Sequence, residues 1–126
     1  MTTATADVLG PHPRVAQALN TARALAASHN DAELLALAER RISELLGAER
    51  QGMPVNVDAP TTAVGTAALA FIEQWVIDVA NITDDMVAAL RTELGEDRLM
   101  DFIHGVLAVE QRIRLELAWH KLGLTT

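Results

Sequence analysis

Apolar residues return every three or four positions along most of this chain, and in no segment do they alternate with a period of two. Spacing of three and four gathers side chains on one face of an α-helix, whereas a half-buried strand needs strict alternation. The chain therefore reads as all-α. Its clearest segment runs from about Glu96 to Leu122, where Leu99, Ile103, Val106, Ile113 and Leu117 form one stripe and Gly123 supplies the stop.

The same reading divides the remainder. Residues 1–12 are Thr/Ala-rich and form an N-terminal arm, and residues 13–126 form a single helical domain. Pro13 suits a first helical turn, where its missing N–H costs nothing. A thin, Ala-dominated stripe of Val15, Ala18, Leu19, Ala22, Leu25 and Ala26 follows it. Asn30 with Glu33 resembles a capping box for a second helix that carries Leu34, Leu37, Ala38, Ile42 and Leu45 and stops at Gly47. Gln51 to Thr62, with Gly52, Pro54 and Pro60, reads as the one long loop.

A third helix is expected from about Thr62 to Ala80, with a buried stripe of Leu69, Ile72, Val76 and Val79 and with Trp75 on its flank. Thr83 is placed as the cap of a short fourth helix, with Asp84 and Asp85 in the first turn where the helix dipole favours negative charge. Gly95 ends it. The expected architecture is a compact all-α bundle of about five helices.

Composition narrows the function. With two Trp, two Phe and no Tyr, the core has to be built from Leu, Val, Ile and Ala. A net charge of −7 argues against nucleic acid and against anionic membrane surfaces, both of which need dense basic patches. The chain has no cysteine, which excludes disulfides, thiolate-ligated zinc and a cysteine nucleophile, and leaves a cytoplasmic location as the default. Met1 to Gly10 lacks the basic and apolar regions of a signal peptide, and no uninterrupted apolar run approaches a membrane span. The histidines His12, His29, His104 and His120 lack metal-ligand spacing, and no Gly-rich phosphate loop is present, so no metal or cofactor is expected.

Four residues are candidates for site chemistry. Glu110 falls within the stripe of the last helix, between Val106 and Ile113, where a bare charge would be very costly. One reading is a carboxylate poised as an acid or base in an apolar cleft. The other is an ion pair with Arg114, one turn on along the same side, or a pair across a subunit interface. Glu73, at the edge of the third helix's stripe, and Glu49, after the second helix, complete the set.

With the helices laid out, the chain resembles the alkylhydroperoxidase-D / carboxymuconolactone-decarboxylase superfamily from about Pro13 to Leu122. The run from Glu33 to Glu49 looks like that family's Glu/Leu/Arg-rich central helix. Ala67 to Leu122, with the Ala-Leu-Ala-Phe-Ile-Glu segment and the Asn81-Ile82-Thr83-Asp84-Asp85 cap, follows its C-terminal half. The resemblance implies a small all-α protein that assembles into trimers or hexamers.

Its departures bear on mechanism. The peroxidase members carry Cys-x-x-Cys and a following His just after the central helix, with an upstream Glu. Aligned on Leu46-Gly47, this chain has Ala48 and Gln51 at the cysteine positions, Val55 at the His position and Ala36 at the Glu position. Thiol peroxidation needs an attacking thiolate and a resolving partner, so that activity is not expected. Gly47-Ala48-Glu49 is similar to the start of an acidic motif in cysteine-free relatives, but Arg50 to Pro54 do not continue it.

Two functions follow as expectations. One is an oligomeric, non-peroxidatic protein that holds a small apolar or acidic ligand, or acts as a scaffold. The other is a cysteine-independent lyase of decarboxylase type, in which Glu110, Glu73 or Glu49 moves the proton and an arginine holds a substrate carboxylate. Self-association has a physical motive as well: Phe102, Val106, Val109 and Ile113 give the last helix an apolar face wider than one partner helix covers, and Phe71 and Trp75 add to it.

Overall fold

Helices in this chain begin mostly where a side-chain oxygen can accept from the first free backbone N–H groups. A computed structural model describes residues 13–47 and 60–123. Among them are five α-helices: α1 (Pro13–His29), α2 (Ala32–Leu45), α3 (Ala63–Asp78), α4 (Asp84–Leu94) and α5 (Glu96–Lys121). A 3₁₀ turn, Val79–Asn81, joins α3 to α4, and no strand occurs among the described residues. The all-α expectation of about five helices is met there, whereas the arm at 1–12, most of the long loop, and Glu49 lie outside the described residues.

The cap of α2 is Asp31, not Asn30. Its Oδ1 accepts from the backbone N–H of Glu33 at 2.8 Å and of Leu34 at 3.3 Å. A carboxylate is an acceptor only and gains from the positive end of the helix dipole, so it outcompetes the neighbouring amide. Asn30 has another task. Its Nδ2 donates to Ala26 O at 2.9 Å and to Asp101 O at 3.0 Å, tying the end of α1 to the start of α5. Thr83 caps α4 as its sequence context indicates, with Oγ1 accepting from Met86 N.

α5 is the central element, packed against by α1, α2 and α4, while α3 packs on α2 and α4. Phe102, Ile42, Ile72, Leu90, Leu99 and Val106 are fully enclosed. Gly105 lets α1 and α2 come close: a Cβ there would lie 2.7 Å from Asn30 Nδ2 and 3.3 Å from Leu35 Cδ1.

The buried face of α3 differs from the expected stripe. Gly65, Ala68, Phe71 and Ile72 are buried, Leu69 and Val76 only partly, and Val79 is 56% exposed. The α-helix ends at Asp78, whose φ of −160° breaks the helical phase before Val79. Small residues at 65 and 68 then allow α3 to pack through Phe71. The helical stretch Ala63–Asn81 is long and apolar enough, by length and composition alone, to cross a membrane, although Glu73 and Asp78 interrupt its apolar run. Only 22% of that stretch is buried within the chain.

The face assigned to self-association lies inside the domain. Phe102, Val106, Val109, Ile113 and Phe71 are all buried against other helices of the same chain. α5 has three helical neighbours rather than one, and they consume its wide apolar face. Among the described residues, the large apolar side chains that stay exposed are others: Val15, Leu25, Ile77, Val79, Met100, Leu107 and Leu122.

Candidate functional site

Glu110 sits where α3 and α5 approach each other, and two groups hold its carboxylate. Trp75 Nε1, from α3, donates to Oε1 at 3.0 Å, and an Arg114 guanidinium nitrogen, one turn along α5, donates to Oε2 at 3.2 Å. The Glu110 side chain is 13% exposed and that of Arg114 is 53% exposed. The carboxylate is thus shielded on the Trp75 side and tethered to water's edge by the arginine. Trp75 itself belongs to a ring cluster: Phe71 lies 5.7 Å from Trp75 and 6.1 Å from Phe102, centroid to centroid, in tilted contact.

Glu73 is engaged elsewhere. Arg41 of α2 donates through Nε to Glu73 Oε2 at 2.9 Å and through a second nitrogen to the same oxygen, and also pairs with Glu44. Arg41 therefore serves two carboxylates at the α2–α3 contact. Arg23 of α1 pairs with Glu39 of α2 through one nitrogen. The structure brings Glu110 and Arg114 together, places Glu73 in a separate ion-pair group, and leaves Glu49 outside the described residues. Among those residues no group of three His, Asp or Glu side chains is arranged to hold a metal ion.

The most deeply buried charged pair escaped the sequence reading. Arg112 Nε donates to Glu116 Oε1 at 2.9 Å, and the two side chains are 8% and 7% exposed. A signal was available. Leu99, Phe102, Val106, Val109, Ile113 and Glu116 repeat at three and four, and all six are buried. Read in that phase, the carboxylate that falls on the stripe is Glu116, with Arg112 one turn before it. Glu110, directly after Val109, falls on the flank.

A groove of about 430 Å³ opens between α1 and α5. It is lined by Ala22, Leu25, Ala26, His29 and Asn30 from the first helix and its end. Asp101, His104, Leu107, Ala108 and Gln111 line it from the last. The Asn30–Asp101 bond fixes the antiparallel register, so His29, Asn30, Asp101 and His104 gather at one end. Ala22, Leu25, Leu107 and Ala108 form the apolar remainder, with Gln111 at the far end. His104 is exposed on this side, away from Glu110.

Comparison of the chain with known protein families, curated proteins and solved structures finds no match.

Proposed function

We propose that this chain is a non-catalytic helical protein that binds a small ligand or acts as a scaffold, and that it works as a homo-oligomer. The observation that carries this reading is the double tether on Glu110. A general acid or base needs a free lobe within hydrogen-bond reach of the substrate atom it serves. Here one oxygen accepts from the Trp75 indole and the other from Arg114, and the carboxylate's side chain is only 13% exposed, which leaves it little room to meet a substrate atom. Glu73, the second acid–base candidate, is likewise committed to Arg41.

Membership among cysteine-less relatives of the carboxymuconolactone decarboxylases belongs to the same proposal and rests on the sequence patterns alone. So do the trimeric or hexameric state and the cytoplasmic location. Self-association has a motive in the apolar side chains left uncovered on α3 and its following turn, Ile77 at 68% and Val79 at 56% exposure. Sedimentation velocity at micromolar concentration tests it: an oligomer is expected, and a monomer alone removes this part of the reading. Glu110→Gln tests the rest. It is expected to leave assembly and ligand binding intact. Release of carbon dioxide from a carboxylated lactone by the parent chain, lost in Glu110→Gln, would restore the lyase reading.

A further inference from the structure

We propose that the groove between α1 and α5 is the ligand site of this protein, and that it takes a small organic cation with an alkyl body, an aliphatic amine in its ammonium form. The inference rests on the binding reading above and assigns its ligand class. A volume of about 430 Å³ lies within the usual range for small-molecule sites, roughly 300–1,000 Å³. Leu25 and Leu107 stand on opposite rims at 57% and 37% exposure, so an apolar body between them would remove both from water. Along α5, Asp101 and Leu107 are separated by about 9 Å at 1.5 Å rise per residue, the reach of a medium-length alkyl chain.

The sign of the head group follows from the polar end. Asp101 is the one acidic side chain in the lining, and no Arg or Lys accompanies it. Asp101 bonds to Asn30 through its backbone oxygen, so that bond does not use its carboxylate. The C-terminal end of α1 finishes at His29 in the same place, and the carbonyl end of a helix carries partial negative charge. The chain as a whole carries −7. All of these favour an ammonium group and oppose a carboxylate.

The test is a titration of the full chain with octylammonium, octanoate and octanol, followed by two-dimensional amide NMR at about pH 8. Octylammonium is expected to shift the amides of Leu25, His29, Asp101 and Leu107. An exposed ion pair and an exposed like-charge contact each change affinity by up to about fivefold, so octanoate should bind more weakly, by up to about 25-fold. Asp101→Asn should bring the two charged probes within about threefold of each other, because it removes the charge and keeps the shape. Leu107→Ala should weaken all three probes together, since it shortens the apolar rim without opening the core.

Octanoate binding as tightly as octylammonium in the parent chain would overturn the cation assignment while leaving a ligand site in place. Octylammonium affinity unchanged by Asp101→Asn would likewise overturn the cation assignment, and shifts that map away from α1 and α5 would overturn the site itself. None of these outcomes bears on assembly or on the Glu110 test, so the two proposals fail separately.

Discussion

Trp75 and Glu110, 35 positions apart in the chain, are joined by a 3.0 Å hydrogen bond from the indole Nε1 to the carboxylate Oε1. This bond is a direct polar link between α3 and α5, in a place where Phe71 and Phe102 make the remaining contact with rings. Trp75→Phe keeps a ring against Phe71 and removes the donor. A lost hydrogen bond to a charged group costs about 1.5–3 kcal/mol, and denaturant unfolding is expected to show a loss of that size. Glu110→Ala in the Trp75→Phe background should cost less than it does alone. Additive losses in that double-mutant cycle would mean that the indole and the carboxylate do not act on each other.

Gly105 and Asn30 give a prediction whose sign depends on background. A methyl group at 105 would meet Asn30 Nδ2 at 2.7 Å and push it from the carbonyls of Ala26 and Asp101. Gly105→Ala should therefore destabilise the parent chain by about 1–3 kcal/mol, the cost of breaking buried polar contacts. Asn30→Ala removes the obstruction. In that background the same change should be close to neutral or stabilising, because Ala exceeds Gly in helix preference by about 1 kcal/mol. Thermal melts of the four proteins decide the matter, and equal losses in both backgrounds would count against it.

Element type and most helix ends were legible in the sequence because they depend on local chemistry. Thr83 and Gly95 sit in the structure where capping and conformational preference place them. Helix faces were harder. Period alone leaves the phase of a stripe open by about 100° per residue, and packing partners then select the phase. On α5, three neighbouring helices bury the face through Phe102, Val109 and Glu116, which moves Glu110 to a flank. On α3, small residues at 65 and 68 set the approach and bring Phe71 inward. Neither the Trp75–Glu110 bond nor the Arg41–Glu73 pair has a local signature, since each joins residues more than thirty positions apart. The cap at Asp31 was a closer miss. It turned on whether an amide or a carboxylate wins a position one residue apart.

Gly95 and Gly47 both have positive φ, 79° and 68°, and a Cβ at either would meet nothing within 4 Å. Any penalty there is purely a backbone matter. Gly95 combines its φ with a ψ of 167°, a region open essentially to glycine alone, and it both ends α4 and precedes α5. Gly95→Ala is expected to cost about 1–3 kcal/mol, and Gly95→Asn no less. Gly47 follows the last turn of α2, where left-handed backbone closes a helix and asparagine is tolerated. Gly47→Asn should thus lose less than Gly47→Ala. Urea unfolding of the four variants checks the contrast; rescue by asparagine at both positions would show that Gly95 is an ordinary left-handed cap.

Arg112 and Glu116 test what the buried charge contributes. Their 2.9 Å pair lies on the same face of α5 as Val109 and Ile113, with both side chains under 10% exposed. Removing one partner takes a charge-assisted bond from the other at a buried position, so Arg112→Met or Glu116→Leu alone should destabilise by about 1.5–3 kcal/mol. Replacing both takes away the attraction and the desolvation cost together, and the double variant should recover a large part of that loss. Circular dichroism during denaturant unfolding reads all three. If the double variant instead loses the sum of the singles, each side chain stabilises the domain on its own account, and the ion pair between them contributes little.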